Sequence, residues 1–233
     1  DVRVYLAASA PELGTLRGVI TLPRPPLLQD LRVSLLDPTA LSGGLDATAL
    51  LQQLQNGYAI LTTPGETEYP YVITGLTPGR VTPVPSLLGL ANGGLAVNLL
   101  ADVLRPVTIV AGEETVADFA FGPVALSGDV ELGPESSPEG LPLGLVAARA
   151  VSLTGASQVV LMPVLFASQQ GTSTASFAGT SLRANTSFAL KAFAGTAALT
   201  DAFGWVFNPL GGAPPDATVQ TNADEVSATI VKP

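Results

Sequence analysis

The sequence predicts an all-β fold of two tandem β-sandwich modules, with short helical insertions in the first. Three observations predict it: short runs alternating apolar and polar residues, turn residues at close intervals between them, and a repeat at one fixed offset. Of 233 residues, 24 are Gly and 20 are Pro, while 47% are hydrophobic, enough for a packed core.

Residues 16–22 read L-R-G-V-I-T-L, and residues 126–132 read L-S-G-D-V-E-L, 110 positions later. Residues 108–116 (T-I-V-A-G-E-E-T-V) and 218–226 (T-V-Q-T-N-A-D-E-V) stand at the same offset of 110. Residues 71–76 and 188–193 align at 117, as unequal loops would allow. The resulting division is an N-terminal strand over 1–10, one module over 11–122 and a second over 123–233.

Strand runs follow in order. Residues 31–36 alternate before Asp37-Pro38, and 58–62 end at Pro64-Gly65. Residues 71–76 precede the turn Thr77-Pro78-Gly79-Arg80, with Pro and Gly where β-turns favour them. Residues 116–121 place Phe119 and Phe121 on one face. In the second module, 144–153, 158–166, 173–177, 187–193 and 217–231 supply further runs. Residues 203–207 hold the only Trp, Trp205, expected as a core anchor. Two helices are expected in the first module: residues 47–55, capped by Asp46 and stopped at Gly57, and residues 95–104, ending before Pro106.

These motifs resemble a known family. The runs 16–22 and 33–36, the turn Gly75-Leu76-Thr77-Pro78-Gly79 and the strand A-G-E-E-T-V at 111–116 are similar to the carboxypeptidase regulatory-like domain, most clearly over residues 14–122. The resemblance implies immunoglobulin/transthyretin-like, seven-stranded sandwiches that are non-catalytic and serve as spacers, assembly modules or adhesion modules. The chain departs from the family pattern at residues 67–72, and Phe193-Ala194-Gly195 is read as standing in place of the Pro-Gly turn in the second module.

Composition excludes several function classes. With no His and no Cys, the commonest general base, metal ligand and thiol nucleophile are missing. A Ser-Lys pair would need Lys191 or Lys232, the only lysines, and Lys191 is read as solvated on a strand. The carboxylate pairs Asp129/Glu131, Glu113/Glu114 and Asp224/Glu225 are read as solvated turns or strand faces. Asp216, Asp224 and Glu225 are the weak calcium candidates, with no D-x-D-x-D-G run to support them. Hence no enzyme, no cofactor and no metal site are expected. Net charge is −9 and the Arg residues are scattered, which argues against nucleic acid and anionic membranes. The apolar, charge-free stretches 81–101 and 150–182 carry Pro, Gly, Ser, Thr and Gln, so no membrane insertion is expected.

The expected function is a secreted, non-enzymatic structural protein of the cell surface, a subunit of a pilus-like filament or layer. The opening Asp1-Val2-Arg3-Val4 reads as a mature end after processing. Val2, Val4 and Leu6 alternate on a strand that a neighbouring copy could take up, so the partners are copies of the chain itself or other surface proteins. The alternative is a glycan- or protein-binding adhesion module, with a pocket around Tyr69, Tyr71 and Trp205. Asn185-Thr186-Ser187 is a candidate glycosylation sequon.

Overall fold

Runs of β-branched and apolar residues between Gly and Pro turns become strands because a pleated backbone sends alternate side chains to opposite faces. The computed structural model describes residues 12–26, 29–36, 47–92, 94–100, 106–136, 143–150, 158–169, 172–207 and 213–233. The first half holds β1 (Gly14–Thr21), β2 (Gln29–Leu36), α1 (Ala47–Gln55), β3 (Tyr58–Ile60), β4 (Glu68–Leu76), β5 (Gly79–Ala91), β6 (Gly94–Leu99), β7 (Val107–Ile109), β8 (Glu114–Val116) and β9 (Phe119–Ala120). The second holds β10 (Val124–Leu132), β11 (Leu143–Ala150), β12 (Val159–Leu165), β13 (Ala167–Gln169), β14 (Thr172–Leu182), β15 (Ser187–Ala194), α2 (Ala198–Phe207), β16 (Ala217–Gln220) and β17 (Glu225–Lys232). The fold is all-β with two helices among the described residues.

One nine-stranded sheet runs through both halves in the order β16-β15-β11-β12-β6-β5-β2-β3, with β7 beside β5. Two smaller sheets, β4-β1-β8 with β9 also on β1, and β13-β14-β10-β17, cover one of its faces. The core under the first small sheet contains Leu16, Ile20, Tyr71, Leu31, Val33 and Leu87. The core under the second contains Leu126, Val130, Phe177, Val146, Val160 and Phe188. The opposite face of the long sheet carries α1 and α2 over Val84, Leu88, Val97, Ala147 and Leu161. Both faces of the long sheet are therefore buried, so β11 and β12 read as near-continuous apolar runs instead of alternating ones.

The strand pairing of the first half recurs in the second. β1 is antiparallel to β4 and parallel to β8, and β10 is antiparallel to β14 and parallel to β17. Both antiparallel pairs carry the same irregularity: Gly14↔Leu76 steps to Leu16↔Ile73, and Val124↔Leu182 steps to Leu126↔Gly179. At that step Gly75 has φ 75° and Ser181 has φ 65°. Gly18 and Gly128 sit where a Cβ would come 1.9 Å from the carbonyl oxygens of Ala117 and Ala228. Gly18 faces the ring of Tyr71 and Gly128 that of Phe177. Thus β4 corresponds to β14, and the alignment of 71–76 with 188–193 is incorrect. The second-half counterpart of the G-L-T-P-G turn is Ser181-Leu182-Arg183-Ala184-Asn185, not Phe193-Ala194-Gly195.

The helix expected over 95–104 is overturned in its described part, where β6 forms a hairpin with β5 and pairs with β12. Burial on both faces removed the two-residue alternation that marks a strand. The helical insertions are not confined to the first module, since α2 carries Trp205 in the second half. The 47–55 helix forms as expected. β5 is hidden in sequence by Pro83 and Pro85, which argue against a central strand. The structure accommodates them because β7 pairs with residues 79–81 and β6 with 86–91, leaving both prolines in the gap between these partners. Likewise, β6 pairs with β12 only at residues 159–161, short of Pro163.

Candidate assembly surfaces

The three aromatic residues considered for a binding pocket are buried, at 1% exposure for Tyr69, 6% for Tyr71 and 4% for Trp205. Tyr69 donates its hydroxyl to Glu66 O, and Tyr71 donates to Ala117 O at 2.6 Å. Trp205 Nε1 donates to Ala213 O at 2.8 Å. The Arg149 guanidinium lies 4.0 Å from the Trp205 ring centroid and donates to Trp205 O. Trp205 is thus a core anchor, and these residues offer no stacking platform to a glycan. A cavity of about 280 Å³ beside α2 is lined by Leu95, Leu145, Pro163, Val164, Ala198 and Leu199 among others, with no aromatic ring among its lining residues.

Lys191 is not solvated. Its side chain is 12% exposed and its Nζ lies 3.2 Å from Asp216 Oδ1, while Lys232 Nζ lies 3.3 Å from Asp216 Oδ2. Both lysines of the chain therefore converge on one carboxylate, which also accepts from the Ala192 amide at 2.9 Å. The cluster ties β15, the start of β16 and the end of β17 together. With both oxygens of Asp216 occupied, it does not stand as a calcium ligand beside Asp224 and Glu225, which are exposed at the start of β17. Asp129 and Glu131 share the outer face of β10, where Asp129 accepts from Ser176 Oγ at 2.7 Å. Glu114 pairs with Arg17 at 3.1 Å, both well exposed. Among the described residues no group of three or more acidic side chains converges on a point. Asn185 is exposed at a turn with φ 52°.

The two halves meet where β6 pairs with β12, Val97↔Leu161 through Leu99↔Val159. Two buried amides fasten this seam. Gln158 Nε2 donates to Asn98 Oδ1 at 3.0 Å and to Ser181 O at 2.7 Å. Asn98 Nδ2 donates to Thr180 O at 2.8 Å, and Gln158 Oε1 accepts from the Arg183 amide at 2.8 Å. The network spans β6, β12 and the end of β14, so it also fixes the second small sheet to the long one. Sequence reading missed it, because isolated Asn and Gln in apolar runs give no periodic signal.

Sheet edges are the surfaces on which a β-protein can join another chain. Most edges here are blunted among the described residues. β3 and β13 have three residues each and β16 has four. β4 carries Pro70. On the far side of β1 the edge is split into β8 and β9, because Asp118 Oδ1 takes the Val19 amide at 2.8 Å. β17 differs: all eight of its residues pair with β10 without interruption, and no Pro interrupts it. Val2, Val4 and Leu6 lie outside the described residues.

No known protein family matches the chain in sequence, and no curated protein matches it. Solved structures with some likeness include the Bacillus anthracis TIE protein, at 11% identity and TM-score 0.26, over 95% of this chain and 34% of that one. This chain thus spans about a third of that protein's length. The fimbrial anchor protein Mfa2 from Porphyromonas gingivalis is 8% identical with TM-score 0.27, over 93% of this chain and 90% of that one. The major pilin protein (T-13) from Streptococcus pyogenes is 8% identical with TM-score 0.24, over 95% and 97%. At these TM-scores the likenesses carry no argument about this chain. No described helix is long and apolar enough to cross a membrane.

Proposed function

We propose that this chain is a non-enzymatic extracellular structural protein, a subunit of a cell-surface filament or layer. It derives from duplication of one carboxypeptidase regulatory-like sandwich over 11–122 and 123–233. The observation that carries this reading is the single nine-stranded sheet through both halves, closed by the buried Asn98–Gln158 seam. Separate domains move about their linkers unless their interface is extensive. A shared sheet replaces that freedom with a row of main-chain hydrogen bonds, which suits a building block under tension. The recurrent pairing of β1 and β10 supports the duplication. The part-buried Lys191–Asp216–Lys232 cluster and the buried Tyr69 and Tyr71 support a structural use of groups that could otherwise do chemistry.

Assembly proceeds by strand donation, in which Val2, Val4 and Leu6 of one copy enter the sheet of the next. A head-to-tail contact of this kind gives an open filament when its rotation does not close into a ring. Electron microscopy of negatively stained full chain and of the chain lacking residues 1–10 tests this. Filaments are expected from the first and none from the second. Filaments that survive the deletion would exclude donation by this segment, and free subunits in both samples would exclude the filament.

A further inference from the structure

The outer edge of β17 adds a second contact to the one above and does not depend on it. We infer that β17 pairs antiparallel with β17 of a second copy, about a two-fold axis at Ala228, joining their small sheets into one. The alternation of the β10–β17 ladder sets which groups face outward. Ala125 N donates to Asp224 O and Gly133 N donates to Lys232 O, so the even-numbered residues of β17 turn their N–H and C=O groups toward β10. Glu225, Ser227, Thr229 and Val231 therefore turn theirs to the open side. Among the described residues β17 is the longest strand at the end of a sheet that carries no Pro, and edges of that kind are ordinarily blunted in a protein that stays alone.

The counterpart edge in the first half shows what blunting takes. There Tyr71 donates to Ala117 O and Asp118 Oδ1 takes the Val19 amide, which splits the strand into β8 and β9. In the second half Phe177 stands for Tyr71 and Thr229 for Asp118, so neither group is present to break the edge. The ladder continues through all eight residues.

The occupant follows from charge and size along the edge. β17 begins at Glu225, just after Asp224, and ends at Lys232 within a cluster of two ammonium groups and one carboxylate. An antiparallel copy sets each acidic start against the other's basic end, whereas a parallel copy would set like against like. With the axis at Ala228, that small side chain meets its own image at the close, non-hydrogen-bonded position. Ser227 faces Thr229 of the second copy, and Val226 faces Ile230 of the second copy. Val226 and Ala228, at the margin of the second-half core, gain cover. About eight main-chain hydrogen bonds form from the four outward residues of each copy.

Thr229→Pro tests the contact with little risk to the fold, because the lost N–H points outward and edge strands accept Pro there. Sedimentation equilibrium of the chain lacking residues 1–10, across a concentration series, should show it and its Thr229→Val variant as dimers and its Thr229→Pro variant as monomers, with unchanged circular dichroism. On wild type itself, amide exchange should slow at Ser227, Thr229 and Val231 as concentration rises, while Val226, Ala228 and Ile230 stay protected throughout. A wild type that is monomeric at every concentration overturns the inference, as do outward amides that exchange alike at all concentrations. The chain lacking residues 1–10 keeps the two contacts apart. Loss of filaments with retention of the dimer supports both contacts. Loss of β17 protection on this deletion would mean that the N-terminal segment occupies the edge, and would overturn self-pairing. Loss of the dimer in Thr229→Pro with filaments retained would leave strand donation standing.

Discussion

Two tyrosines with buried hydroxyls give the molecule a pH dependence in the alkaline range. Burial, aided by Asp118, pushes the Tyr71 hydroxyl well above its ordinary value. Burial pushes Tyr69 up as well, aided by Glu66. An acid whose folded pKa is raised favours the fold while it stays protonated, so its contribution is complete below about pH 10 and is lost as pH rises beyond it. Tyr71→Phe should cost about 1 kcal/mol at neutral pH, from the hydroxyl bond to Ala117 O. It should also reduce the fall in stability above pH 10, which for one group is at most about 1.4 kcal/mol per pH unit. Urea unfolding of both proteins between pH 7 and 11.5 checks this, and parallel curves would refute it. The sequence showed Tyr71 as a β-residue but gave no hint of its partner, because Ala117 lies 46 positions away and only the fold brings it near.

At the level of elements, β15, β16 and β17 are joined by the Asp216 cluster. Truncating this part-buried carboxylate leaves its cations uncompensated, so Asp216→Ala should lower stability by about 2 kcal/mol. Removing the exposed Arg17–Glu114 pair through Glu114→Ala should cost less than about 1 kcal/mol. Denaturant unfolding of the two variants side by side measures the contrast, and equal losses would contradict it. Sequence reading placed Lys191 on a strand correctly and its surroundings wrongly. Strand periodicity assigns a face, but the loop that carries Asp216 over that face comes from 25 residues away. The same limit explains β6. A run of Leu, Ala and Val without alternation fits a helix as well as a strand covered on both faces.

For the whole molecule the seam decides whether the halves move as one. Asn98→Leu removes a donor to Thr180 O and the acceptor of Gln158, and should cost about 2 kcal/mol. Amide exchange should quicken at Val97, Leu99, Val159 and Leu161 while β11 and β15 hold. Unchanged exchange at these four positions would show that the seam does not depend on the amides. Two small sheets on one face and two helices on the other enclose the long sheet, and this layering was not legible in the sequence. The pairing of β6 with β12 joins residues about 60 apart that share no pattern.

The sequence by itself determined the all-β character, the β1 and β10 strands, α1 and the absence of imidazole and thiol chemistry. These depend on residue type and on spacing within a few turns of chain. Only the tertiary structure decided which strands pair, that the halves share one sheet, that Tyr69, Tyr71 and Trp205 are buried, and that β17 keeps a continuous edge. Those outcomes rest on contacts between distant residues. At the edge they turn on a hydroxyl and a carboxylate, those of Tyr71 and Asp118, present in one half and replaced by Phe177 and Thr229 in the other.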